Sequence, residues 1–153
     1  LVRVHDRTHP ARESSTGRQW YPGDPAWRIE ARFVQHPNPQ TLQINSTLGD
    51  TMSVPNPGYA LFNLQGQEIH LEALNFGYTM RFIFRDATSG HGTYPAGRFL
   101  DTDEPKDGKV ELDFNRAYSP PCAFTDYATC PLPPPQNILS IPIEAGERYT
   151  EHA

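Results

Sequence analysis

Proline and glycine punctuate this chain from one end to the other. Its 153 residues hold 16 Pro and 11 Gly, spread so that no uninterrupted helical window survives between them. Proline in a helix interior removes a hydrogen bond and clashes with the preceding turn, so the regular structure open to such a chain is β. Three segments show the two-residue alternation of half-buried strands. Trp27, Ile29, Ala31 and Phe33 alternate with Arg28, Glu30 and Arg32; Ile69, Leu71 and Ala73 alternate with Glu68, His70 and Glu72; Val110, Leu112 and Phe114 alternate with Glu111 and Asp113. Between the apolar runs 59–64 and 68–74, the stretch Leu64-Gln-Gly-Gln67 has the form of a tight hairpin turn, with Gly66 supplying the positive φ. Further strands are expected at residues 2–6, 41–47, 79–86, 97–101 and 137–144. The fold predicted is all-β: one domain over residues 1–153, an antiparallel barrel or strongly curved sandwich with a long proline-rich loop. Its predicted core is Trp27, Ile29, Phe33, Leu71, Phe82, Phe84, Leu112, Phe114 and Ile143.

A hydrophobic content of 37% is ordinary for one globular core, and the net charge of −5 argues against nucleic acid, whose binders carry a basic face. No apolar run approaches the length of roughly 18 residues that spans a bilayer, and nothing at the N-terminus has the pattern of a signal peptide. These features point to a cytoplasmic protein. The chain begins at Leu1 rather than Met, so a secreted or periplasmic origin stays open and an upstream segment is expected. No cofactor and no oligomeric state is indicated.

The run from Asn115 to Asn137 holds both cysteines, two tyrosines and six prolines. It can be neither helix nor central strand, and it stays ordered only by packing on the body of the domain. Tyr118 and Tyr127 are therefore expected to be buried as its anchors. The segment Pro131-Leu-Pro-Pro-Pro135 favours polyproline II and reads as a stiff strap in preference to an exposed ligand for an SH3-type domain. Cys122 and Cys130 lack the spacing of a zinc or redox motif, and two thiols do not complete a metal site. Free thiols are favoured over a disulfide, with both left open. No metal is expected.

The second notable run is Phe84 to Phe99, where a strand ends in Arg85 and Asp86 and the chain returns through Tyr94 and Arg98. Two arginines, a tyrosine and hydroxyls such as that of Thr88, converging on one strand-end loop, suit a carboxylate or phosphate. The plainer reading of the same residues is a structural ion pair, Arg85–Asp86 or Arg98–Asp113. Ser89 lacks a nucleophile elbow, and His91 lies between two glycines with no identifiable partner, so a Ser89–His91–Asp113 triad is not supported. Glu144 and Glu147 are expected on solvated faces.

With these residues in place, the chain resembles a bacterial and archaeal family known as domain of unknown function 1684. The resemblance rests on Trp20-Tyr-Pro-Gly-Asp-Pro-Ala-Trp-Arg-Ile-Glu-Ala-Arg-Phe33, Phe82-Ile-Phe-Arg-Asp-Ala-Thr-Ser-Gly90, Leu112-Asp-Phe-Asn-Arg-Ala-Tyr118 and Pro120-Pro-Cys-Ala-Phe-Thr-Asp-Tyr-Ala-Thr-Cys-Pro-Leu-Pro-Pro-Pro135, in that order. It covers essentially the whole chain and implies the C-terminal portion of a longer protein. Lysine and glutamate are usual in the family where His91 and Gly92 stand, and asparagine where Ser119 stands. The family implies no activity, so the chemistry stays with the residues. The leading expectation is a small anionic ligand held by Arg85, Thr88, Tyr94, Arg98, Asn115, Tyr118 and Tyr127. The alternatives are a hydrolase or isomerase with Asp86 or Asp113 as base and Arg85 or Arg98 facing an oxyanion, and a structural or protein-interaction module.

Overall fold

The computed structural model describes residues 4–150. Among them the only helices are short 3-10 turns, none long and apolar enough to cross a membrane. The strands are β1 (Gln19–Trp20), β2 (Arg28–Asn45), β3 (Thr51–Leu64), β4 (Gln67–Glu72), β5 (Leu74–Asn75), β6 (Met80–Phe84), β7 (Arg98–Thr102), β8 (Lys109–Asp113) and β9 (Glu147–Arg148). They form a four-stranded sheet ordered β4-β3-β2-β8, a three-stranded sheet ordered β5-β6-β7 and the pair β1-β9, all antiparallel.

The long hairpin of β2 and β3 organises the domain. Its ladder breaks between Gln35 and Gln40, where Pro37 and Pro39 have no N–H to give and confine the irregularity to a bulge. The expected strand over 41–47 is thus the far half of β2, continuous with the strand begun at Arg28. Opposite the break stands Gly58, where a Cβ would lie 2.2 Å from the Val34 carbonyl oxygen; only glycine allows that approach. The β3–β4 turn has the expected form, with both Gln65 (φ 51°) and Gly66 (φ 79°) in the left-handed region, as a type I′ turn requires.

The bulge lets the two halves of the hairpin bury different faces. Near the β2 start, Ala31, Ala60, Phe62, Ile69 and Leu71 enclose the main core with Met80, Phe82, Phe84, Leu100, Leu112, Phe114 and Ile143, and Trp27, Ile29 and Phe33 close its margin half-buried. Beyond the bulge, Ile44 and Val54 meet Leu74, Ile83, Phe99 and Cys130 in a second core. Phe82 and Phe84 therefore face one core while Ile83 faces the other, and the three-stranded sheet is covered on both sides.

The layering is sandwich-like, and none of the sheets closes into a barrel. Closure stops at β4, whose edge is met by one side chain where a barrel would need a strand. Asn137 Oδ1 accepts the Glu72 N–H (2.7 Å), and Nδ2 donates to the carbonyls of Glu72 (3.0 Å) and Ile83 (2.9 Å). The strand expected over 137–144 is absent: Pro135–Asn137 is a 3-10 turn, and the chain after it follows residues 85–87 through isolated bonds from Arg85 N to Asn137 O, Leu139 N to Arg85 O and Ala87 N to Ile141 O. Pro142, which lacks a donor, stands in this stretch. Of the strand expected at 2–6, residues 4–6 are irregular and the rest lies outside the described residues.

Candidate functional site

The 85–98 loop is built around one carboxylate. The β6–β7 register sets Arg98 opposite Phe84, so its guanidinium reaches Asp86, two residues beyond, and the ion pair is Arg98–Asp86 in place of the expected Arg85–Asp86 or Arg98–Asp113. Asp86 Oδ2 accepts from Arg98 Nη2 at 2.9 Å, while Oδ1 accepts from Thr88 N (2.8 Å), Thr88 Oγ1 (2.6 Å) and Ile143 N (3.1 Å). Arg98 donates further to the carbonyls of Ile143 (2.9 Å) and Ala145, and its plane lies over the Phe84 ring at 5.2 Å. Both side chains of the pair are 0% exposed. Burial pulls the Arg98 pKa down against the opposing pull of Asp86. Thr88 completes the network through the Thr93 hydroxyl at 2.8 Å. Asp86, Thr88 and Arg98 are thus spent on one another and on the chain that passes beneath them, whereas Arg85 is exposed.

The strap meets this loop directly. At Gly97, with φ of +106°, a Cβ would stand 2.9 Å from Pro133 Cγ and 2.6 Å from the Phe84 carbonyl oxygen, so loop and strap are close-packed there. The strap is otherwise tied by its backbone: Thr47 N donates to Cys130 O (3.0 Å), Leu132 N to Asn45 O (2.7 Å) and Ser119 N to Glu147 Oε2 (2.7 Å). Tyr118 is half-buried as an anchor, its hydroxyl donating to Asp101 Oδ2 (2.7 Å) and accepting from Arg81 Nη2 (3.0 Å). Burial first, then the bond to Asp101, pushes its pKa up to about 12. Tyr127 is not an anchor. It is 92% exposed, because the backbone bonds and buried Cys130 already hold the segment that was expected to depend on it.

Where loop and strap approach the paired termini, aromatic rings gather around an arginine. Tyr94 from the loop donates its hydroxyl to the Cys122 carbonyl (3.3 Å), and its ring meets Tyr149 edge-on at 5.0 Å. Burial, followed by the Cys122 contact, raises the Tyr94 pKa. Tyr149 also meets Phe124 of the strap at 6.5 Å. The Arg18 guanidinium lies 5.4 Å from the centre of the Phe124 ring and 5.7 Å from that of Trp20. It is held from below by Glu147, which accepts from Arg18 Nε at 2.6 Å and from Nη2. The Glu147 side chain is 1% exposed and that of Arg18 48%; Trp20 and Phe124 are 44% and 45% exposed. Glu147, expected on a solvated face, is buried because the β1–β9 pair brings Arg18 over it.

The remaining expected residues stand in separate networks. Asp113 accepts from Asn115 N (3.2 Å) and Nδ2 (2.9 Å), and Asn115 exchanges two bonds with the Asp24 backbone, at 3.0 and 2.9 Å. Asp113 borders an open cleft of about 490 Å³ with Glu30, Asp101, Glu104, Glu111 and Arg116 among its walls, whose carboxylates outnumber its cations. On the outer face of β4, Glu72 is buried although the alternation places it outward, with Asn56 Nδ2 at 2.9 Å and His70 Nε2 at 2.9 Å on its carboxylate. Among the described residues no group of three or more His, Cys, Asp or Glu is placed to hold a metal ion.

Arg18 and Glu147 carry no motif, since 129 positions separate them in the chain. The one signal that could have found them is the aromatic setting of Trp20 and Phe124, each beside or within a proline-rich turn. A family model described as "Protein of unknown function (DUF1684)" matches residues 14–148. The solution NMR structure of an uncharacterised protein from Haloarcula marismortui is similar at 34% identity and a TM-score of 0.73, over 90% of this chain and 79% of that one. No curated protein matches.

Proposed function

We propose, for a chain that belongs to the DUF1684 family of proteins of unknown function, a binding role toward a small carboxylate or phosphate ligand that also carries a planar ring, seated at the seam of loop, strap and termini. The observation that carries this reading is the half-exposed Arg18 guanidinium fixed by a buried carboxylate between two half-exposed rings. Nε and Nη2 are given to Glu147, so the Nη1 edge is uncommitted to it and suits an outside oxyanion. Fixing the guanidinium in advance removes most of the ordering cost that a ligand would otherwise meet. Trp20 and Phe124 offer faces for the planar part. Of the residues expected at a ligand, Tyr94 belongs to this seam; Thr88 and Arg98 hold the loop behind it together with Asp86, and Arg85, Asn115, Tyr118 and Tyr127 would bear on a ligand only indirectly. Among the described residues no specific geometry favours a hydrolase or isomerase, because Asp86 is saturated with donors and Asp113 caps a turn.

The test uses Trp20 as reporter. Titration with benzoate, phenyl phosphate and inorganic phosphate should quench fluorescence with at least one ring-bearing anion, and Arg18→Ala should weaken that response about tenfold or more, as loss of a charge-assisted contact implies. Equal response in the variant, or none with any of the three, would remove the reading.

A further inference from the structure

The two thiols lie outside that reading and stand together at the base of the strap. Cys130 is buried in the second core against Ile83 and Phe99, while Cys122 is partly exposed. The Cys122 backbone N–H points at Cys130 Sγ over 3.3 Å. An N–Cα bond of about 1.46 Å then keeps that sulfur within about 4.8 Å of Cys122 Cα, a gap that a disulfide crosses through Cβ and Sγ of Cys122. The Tyr94 hydroxyl lies 3.7 Å from Cys122 Sγ, placed to give a hydrogen bond to a thiolate there.

We propose that Cys122 and Cys130 form a thiol-modification site toward small-molecule disulfides, with Cys122 as the attacking and Cys130 as the resolving thiol. In the first step Cys122 gives its proton to solvent and its Sγ attacks one sulfur of the disulfide. The S–S bond breaks and one small thiolate leaves, taking up a proton. In the second step Cys130 gives up its proton and attacks Cys122 Sγ, and the bond to the remaining small thiol breaks. Two electrons pass from the protein thiols to the reagent, so one disulfide becomes two small thiols and the protein gains one internal disulfide. The order follows from access: Cys122 is partly exposed and can meet a reagent, whereas Cys130 is buried beside it. Burial and the neighbouring Cys122 push the Cys130 thiol up to about 12, which accords with the partly exposed Cys122 as the thiol that reacts first. The product would close residues 122–130 into a ring fixed to the second core, with Phe124 and Tyr127 riding on it.

The experiment treats the full chain, natively folded, with excess oxidised glutathione, blocks remaining thiols with iodoacetamide and reads the intact mass over time. A species bearing one glutathione, mapped by peptide analysis to Cys122, should rise and give way to a chain two hydrogens lighter with no blocked thiol. Cys130→Ser should stop at one bound glutathione, and Cys122→Ser should react about tenfold more slowly or not at all. Two blocked thiols on the wild-type chain, glutathione mapped first to Cys130, or cross-linked dimers in place of the internal bond would each overturn the proposal. The wild-type time course decides even if a variant fails to fold.

Discussion

At the scale of single residues, the domain spends its most distinctive polar groups on holding itself together. Asp86 and Arg98 are wholly buried and answer one another, and their further bonds leave the Arg98 Nε as the atom of the pair without a partner among the described residues. Removing one partner leaves the other charge stranded in a dry interior, which is far more costly than the pair's own net contribution. Asp86→Asn should therefore lower unfolding stability by about 3–5 kcal/mol, read from the urea midpoint at constant slope. Tyr127→Ala, at a ring 92% exposed, should move the same midpoint by no more than about 0.5 kcal/mol. A small effect for Asp86→Asn would mean that the loop can open and solvate Arg98, and would return both residues to candidacy as ligand contacts.

At the scale of elements, the strap and the segment after it do the work of missing strands. Asn137 is the clearest instance, since its amide makes three bonds to backbone groups of β4 and β6 that a neighbouring strand would otherwise make. Asn137→Ala strands a buried N–H and two carbonyls. A cost of at least about 2 kcal/mol is expected, from one to three per unsatisfied group. Hydrogen exchange at the Glu72 amide should accelerate by more than the global loss of stability accounts for, because the β4 edge opens locally. Acceleration no greater than at the β2–β3 ladder would show that Asn137 is dispensable to that edge.

At the scale of the whole molecule, the second core ties stability to alkaline pH. The folded Tyr118 pKa, up at about 12 from an ordinary 10.0, means that the fold favours the protonated phenol. Its contribution is complete below pH 10 and is lost as pH rises from about 10 to about 12. Cys130 adds to the same limb from an ordinary 9.0. Stability of the reduced protein should accordingly fall steeply above pH 9 to 10 as the strap and the β5-β6-β7 sheet lose their common packing. In Tyr118→Phe the fall above pH 10 should be shallower than in the wild type. Parallel curves would place the alkaline sensitivity elsewhere.

What the amino-acid sequence determined by itself is what depends on near neighbours. Alternation at 27–33, 68–73 and 110–114 marked strand faces because the side-chain period of a pleated strand is two, and the core residues Leu71, Leu112 and Phe114 followed from it. The tight turn at Gln65–Gly66 was legible for the same reason, since its backbone requirement is met within two residues. The family too was legible, in blocks of contiguous sequence. Tertiary structure alone decided the rest. Alternation could not show Glu72 buried on the outer face of β4, because its carboxylate is met there by Asn56 from another strand. It could not pair Arg98 with Asp86 in preference to Asp113, which required the β6–β7 register. Nor could it bring Arg18 over Glu147, across nearly the whole chain. Closure into a barrel depended on what met the β4 edge, and there an asparagine side chain took the bonds of a strand. A one-dimensional pattern records which residues can be buried, whereas partners for buried charge and unpaired backbone are chosen by distances that only the folded chain sets.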